Sequence, residues 1–262
     1  MEHTILSKKD LAFLEAVITE YGYVASISEL KSLFGDLSFN ELHHRVRLLV
    51  KRGWLIRIKQ GHYVVANLES HNFSNVSPFI ISRIFIPDSY VSFEYALNYH
   101  GYFDQLPGTV TAVTAKNSRR YKFQGMGYHF VKAKPEMFTG YKSVLLDGKE
   151  GRVANIEKVI LDYLHFRKDS YTIDLILEKL LEAREVISTD MMIEYADLYP
   201  ISVQRRLGFL LDLRSMDSSL LHNKIKQIAG VAKLSKDADQ FNSKWRIYHE
   251  NRITEQGTAF YN

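Results

Sequence analysis

Residues 38–65, SFNELHHRVRLLVKRGWLIRIKQGHYVV, read as a capped amphipathic helix, a stop and a short β-hairpin. Ser38 and Glu41 have the S-x-x-E spacing of a capping box, in which hydroxyl and carboxylate satisfy amides left open at a helix start. Leu42, Val46, Leu49 and Val50 recur at helical spacing on one face, with His43, His44, Arg47 and Lys51 largely on the other. Gly53 sits where a left-handed terminator is wanted. Beyond it, Trp54–Lys59 and His62–Val65 flank Gln60-Gly61 as two strands about a tight turn. A helix followed at once by a basic hairpin is the second half of a winged helix-turn-helix.

The preceding residues supply the first half. The spacing predicts a helix over Lys9–Tyr21 with Leu11, Leu14, Val17 and Ile18 inward. A second capping box, Ser26-Ile27-Ser28-Glu29, opens a short helix over Glu29–Phe34, and Gly35-Asp36 makes the turn. Charge follows geometry. From Asn40 to Val64, six basic side chains (Arg45, Arg47, Lys51, Arg52, Arg57, Lys59) face one acid, Glu41, a local net of +5. The whole chain, with 34 Lys or Arg and 30 Asp or Glu, carries only +4. The basic excess is concentrated where a DNA footprint should be.

Asn40, His43, His44 and Arg47 are the candidates for base edges, since Asn and Arg pair bidentately with adenine and guanine in the major groove. Lys51, Arg57 and Lys59 are the candidates for phosphates, and His62 belongs to the hairpin tip. A winged helix kept for protein contacts, with a solvated basic face, is the competing reading. Lys116, Arg119, Arg120 and Lys122 form a second basic cluster, a candidate contact for nucleic acid or a protein partner, or else a charged strand edge that blocks unwanted pairing. Arg205 and Arg206 carry the same two readings.

With 262 residues, 46% of them hydrophobic and 24% charged, the chain has an ordinary globular composition and room for two domains. The absence of cysteine excludes disulfides and thiolate metal sites and suits a reducing cytoplasm. No apolar run reaches the length of a membrane span, and MEHTILSKKD lacks a signal-peptide layout, so a cytoplasmic protein is expected.

The expected architecture is α+β: a winged helix-turn-helix domain at 1–66, a polar linker at 67–77, and a mixed α/β C-terminal domain at 78–253. Within the latter, 78–168 is mixed and the last third, 171–253, is helical; 254–262 is a loose tail. Tyr90–Tyr99 reads as helix, Thr109–Thr114 as a Thr/Val-rich strand, and Arg119–Phe123 and Tyr128–Lys132 as strands about Gln124–Gly127. Tyr141–Leu146 and Gly151–Ala154 read as strands about Asp147–Glu150, and Asn155–Phe166 as helix. Leu175–Arg184, Thr189–Leu198, Ser202–Leu213 and Leu220–Val231 follow as helices. Gln204–Leu211 faintly echoes His43–Val50, so the helices around Pro200 form either a second helix-turn-helix-like unit or an ordinary helical hairpin.

An enzyme reading rests on Pro87-Asp88 and Asp147-Gly148-Lys149, which formally match the P-D…(D/E)-x-K pattern of metal-dependent nucleases. A capping role for Asp88 and a turn role for Asp147-Gly148 explain the same residues. His43 and His44 are about 100° apart on a helix, a poor chelating pair. No catalytic, metal-binding or cofactor-binding set is expected.

Three stretches, RLLVKRGWLIRIKQGHYVV (47–65), SYVSFEYALNYHGYFDQLPGTVTAVTAKNSRRYKF (89–123) and GRVANIEKVILDYLHF (151–166), resemble the AbiEi-type antitoxins of bacterial abortive-infection (type IV) toxin–antitoxin systems. The matches follow the order that family uses and weaken beyond residue 170. The resemblance implies a DNA-binding transcriptional autorepressor acting on double-stranded DNA at an inverted-repeat operator. It also implies a C-terminal domain that neutralises a cognate nucleotidyltransferase-like toxin in phage defence, in some systems without a stable complex. A plain winged-helix regulator with a ligand- or partner-sensing C-terminal domain is the alternative within the binding class.

Overall fold

The computed structural model describes residues 6–68, 76–146 and 148–254. The N-terminal unit runs α1 (Lys8–Tyr21), β1 (Val24–Ser26), α2 (Ile27–Leu33), α3 (Phe39–Lys51), β2 (Leu55–Lys59) and β3 (His62–Val65). Both capping boxes form: the Ser26 and Ser38 hydroxyls accept the Glu29 and Glu41 amides, and each glutamate accepts its serine's amide in return. Between α2 and α3 the Lys31 ammonium donates to the carbonyls of Gly35 and Leu37, which fixes the turn. Leu11, expected inward, is exposed; Phe13 is buried in its place and stacks on Phe34 at 4.1 Å. The strand β1 is too short to show any alternation in sequence. It completes a three-stranded antiparallel sheet in the order β1-β3-β2.

That sheet is covered on both faces. Ala25, Leu55, Tyr63 and Val65 pack with Leu14, Leu42, Val46 and Leu49 of the helices. Val24, Ile58 and Val64 belong instead to the core of the rest of the chain.

The remainder continues α4 (Pro78–Phe85), β4 (Ser89–Val91), α5 (Phe93–Tyr99), β5 (Thr109–Thr114), β6 (Arg119–Phe123), β7 (Met126–Lys132), β8 (Tyr141–Leu146), β9 (Lys149–Ala154) and α6 (Ile156–Phe166). Its six-stranded mixed sheet has the order β6-β7-β5-β4-β9-β8, which leaves β6 and β8 at the edges. The helix α4 lies against β9 and reaches β2 of the N-terminal unit. It fits because position 151 is glycine: a Cβ there would stand 2.6 Å from Phe79 Cβ. Residues 90 and 91, expected in a helix, are strand; the helix begins after Ser92, with Tyr90 and Val91 wholly buried in the central strand.

Four helices follow: α7 (Ser170–Glu182), α8 (Thr189–Ala196), α9 (Ile201–Leu213) and α10 (Ser219–Ile225). The expectation of helix throughout 171–253 is corrected here. The helix α10 stops at Ile225, and β10 (Ala232–Lys233), β11 (Gln240–Asn242) and β12 (Ile247–His249) form a small mixed sheet against α9, with helix resuming only over 251–254. With two or three residues each, these strands carry no period for a sequence to display. Glu69–Asn75 of the expected linker, Asp147 of the expected turn, and residues 255–262 of the expected tail lie outside the described residues. Among the described residues no helix is long and apolar enough to cross a membrane.

Candidate nucleic-acid interface

The helix α3 buries Leu42, Val46 and Leu49 and turns the opposite side to solvent. Asn40, His44, Arg47 and Lys51 are all exposed there, and Arg57 is exposed on β2. The acid in this region stays ionised: Ser38 hydrogen bonds, helped by Arg45 and Lys31, hold the Glu41 carboxyl below its ordinary range. Arg45 leans over the Phe13 ring at 5.4 Å, and Arg52 pairs with Asp10 at 3.2 Å. These two cations are engaged in the fold, whereas Arg47 and Lys51 make no intramolecular ion pair among the described residues.

A cavity of about 460 Å³ separates α3 from the hairpin, lined by Phe39, His43, Arg47 and Val50 on one side and by Arg57, Gln60, Gly61 and Tyr63 on the other. The Ile27 amide donates to Gly61 O at 2.8 Å, tying the hairpin tip to the start of α2. The left-handed backbone at Gly61 (φ 76°) makes that tight turn. His43 is only half-exposed, and its Nε2 is buried without a partner against this cavity.

Lys59, expected at phosphates, and His62, expected at the hairpin tip, are both half-buried and lie away from that cavity. A register shift between Arg57 and Lys59 breaks the alternation of β2. Lys59 and His62 instead line a second cavity, of about 340 Å³, with Glu29, Arg83, Lys149 and Glu150, between the N-terminal unit and the rest. Burial lowers the Lys59 pKa and also the His62 pKa, the latter partly offset by the hydrogen bond its Nδ1–H donates to Gln60 O. Across the seam Lys149 pairs with Glu29, while on the far side of it Arg83 of α4 pairs with Glu150 of β9 at 2.6 Å. Burial acts to raise the Glu29 pKa, but Lys149 and Ser26 outweigh it and hold it low.

His62, His100, His129 and His165 all have pKa values lowered, in each case by burial first. A depressed pKa means the unfolded chain binds protons more readily, so stability is full above the ordinary histidine value of 6.5 and is lost as pH falls below it. The melting temperature is therefore expected to drop between pH 7.5 and pH 5.5, before carboxylates such as Glu29 begin to protonate. Each kcal/mol lost moves it by about 2–4 °C in a chain of this size. Thermal melts of the wild type and of His100→Gln, whose Nε2–H donates to Ala154 O at 2.8 Å, check this; a flat wild-type profile would refute it.

In the second basic cluster, Arg119, Arg120 and Lys122 are exposed on the edge strand β6, while Lys116 pairs with Asp88 at 2.9 Å. Arg205 and Arg206 are corrected outright. Both are buried: Arg205 donates to the carbonyls of Ile228, Ala229 and Gly230, and Arg206 to those of Leu164 and Lys233. They tie α9 to neighbouring segments and are not presented to a partner. Of the formal nuclease pattern, Asp88 is paired with Lys116 and Lys149 with Glu29, and Asp147 lies outside the described residues. Phe39 was absent from the sequence-derived set, although it stands 62% exposed at the first position of α3.

Comparison with protein-family models and with curated proteins gives no match. Among solved structures, the chain is similar to the RV2827C protein of Mycobacterium tuberculosis. The TM-score is 0.69 over 97% of this chain and 96% of that one, at 11% identity. The likeness therefore extends over nearly the whole of both chains, and at this identity it is a likeness of fold.

Proposed function

We propose that the N-terminal unit is a winged helix-turn-helix that binds duplex DNA, and that the protein is an autorepressor and antitoxin of the AbiEi type without catalytic activity of its own. One observation carries the DNA half: a helix entered through a capped turn presents Asn40, His44, Arg47 and Lys51 together, with Arg57 of the adjoining hairpin beside them. The helix is narrow enough to enter a major groove, and its outward side chains are those that read base edges and grip phosphates. The antitoxin half rests on the three resembling stretches. The proposed partner there is a nucleotidyltransferase-like toxin, and the exposed cations Arg119, Arg120 and Lys122 are candidates to meet it or nucleic acid.

A salt-titrated gel shift on the DNA upstream of its own reading frame, against scrambled DNA, tests the first half. Preference for the upstream fragment with steep salt dependence is expected. Co-expression with the toxin-like neighbour, scored by growth, tests the second. Arg47→Ala and Lys51→Ala should differ in kind. Loss of Arg47 is expected to cost about 1–3 kcal/mol and to relax specificity at one base position. Loss of Lys51 is expected to weaken all sequences alike and to reduce the salt slope by about one. Equal losses on specific and scrambled DNA for both variants would remove Arg47 from base readout.

A further inference from the structure

Phe39 has no evident work in the fold. It follows the N-cap Ser38, and among the described residues its ring meets one aromatic neighbour, the His43 ring, at 4.1 Å and a 55° tilt. The apolar contact that normally fixes the entry of a helix joins the residue before the N-cap to the fourth helical residue. Here those are Leu37 and Leu42, both in the N-terminal hydrophobic cluster, to which Phe39 does not belong. At 62% exposure it is more exposed than any other phenylalanine among the described residues. It forms one stripe with His43 and Arg47 at successive turns, beside the stripe of Asn40, His44 and Lys51. Arg47 shares its side of the cavity between α3 and the hairpin and Arg57 lines the other, so the apolar ring stands in a cavity that also carries two positive charges.

Resting on the DNA-binding reading above, we propose that Phe39 reads the 5-methyl group of one thymine in each half-site. The first residues of a recognition helix lie closest to the base edges, and the thymine methyl is the one apolar feature of the major groove. The two positive charges complement neighbouring phosphates, and the ring excludes water from the methyl.

The full chain is used to select duplexes from a random-sequence pool. Affinities for the winner are then measured with each thymine replaced in turn by deoxyuridine, for the wild type and for Phe39→Ala. In the wild type, one replacement per half-site is expected to weaken binding about fourfold, the factor for one buried methyl group. In Phe39→Ala that position should become indifferent to the methyl while the others keep their wild-type response, and Phe39→Leu should keep part of the effect. Because Phe39 is exposed, an unchanged melting temperature is expected for both variants. Selection that succeeds while methyl removal weakens wild type and Phe39→Ala equally at every position overturns the Phe39 assignment alone. Failure to enrich any duplex overturns the DNA-binding reading together with it.

Discussion

Asp162→Ala is expected to destabilise the protein by about 3–5 kcal/mol, the range for removing one partner of a buried ion pair. Asp162 and Lys158 sit one turn apart on α6, both with fully buried side chains and 2.8 Å between Nζ and Oδ1. The carboxylate is the common acceptor of a closed network. Ser92 Oγ donates to it at 2.8 Å, Tyr199 OH at 2.6 Å and Tyr90 OH at 3.2 Å. Lys158 also donates to Tyr199 OH and lies over that ring, 4.6 Å from its centre. Burial, then the charge of Asp162, pushes both tyrosine pKa values well up, so both hydroxyls remain donors at any working pH. Truncation to alanine strands an ammonium and three hydroxyls without water. The network spans β4, the start of α5, α6 and the segment before α9, so its loss should lower cooperativity as well as midpoint in a denaturant titration. Lys158→Met combined with Asp162→Leu should recover most of the loss, because paired apolar replacement removes the stranded charge. A single variant as stable as the wild type would show that water reaches this site.

The elements that sequence reveals are those whose residues answer to a local rule. Both capping boxes, the amphipathic face of α3 and the Thr/Val alternation of β5 satisfy rules that need no distant partner. What sequence conceals depends on what packs against it. Leu11 and Phe13 are equally apolar, and only the position of Phe34 decides that the latter turns inward. Arg205 and Arg206 resemble a solvated pair until the carbonyls of residues 228–230, 164 and 233 come within reach. The candidate interface divides in the same way. Arg47 and Lys51 follow from helical spacing, whereas the displacement of Lys59 and His62 follows from a bulge and from α4 covering the second face of the sheet. Phe39 was missed for the opposite reason: an aromatic residue at a helix start is ordinarily assigned to a core, and this one has none to enter.

Gly208→Ala is expected to cost about 2–3 kcal/mol, although alanine is the better helix former by about 1 kcal/mol. Gly208 lies in the middle of α9, where glycine is otherwise a weakness, and no turn or left-handed backbone requires it. Its reason is Trp245. The benzene ring of the indole lies against the bare backbone of α9, and a Cβ at 208 would fall within its van der Waals radius. The ring has nowhere to retreat, being 1% exposed. Its Nε1–H donates at 2.6 Å to Asp212, one turn along the same helix, and its backbone amide donates to Asn242 Oδ1 at 3.0 Å. Lys244 and Ser218 both engage Asp212 as well, which keeps its carboxyl ionised against the opposing effect of burial. The alanine methyl must therefore push the whole small sheet of β10, β11 and β12 away from α9, and the Nε1–H bond breaks with it. Of the two tryptophans, Trp54 lies in the N-terminal unit, so a red shift in emission with that unit intact would report this local displacement. Trp245→Leu in the Gly208→Ala background is expected to restore part of the stability by making room for the methyl. Unchanged emission and midpoint in Gly208→Ala would mean that α9 and the small sheet slide past each other freely, and the close packing of Trp245 on Gly208 would then have no energetic weight.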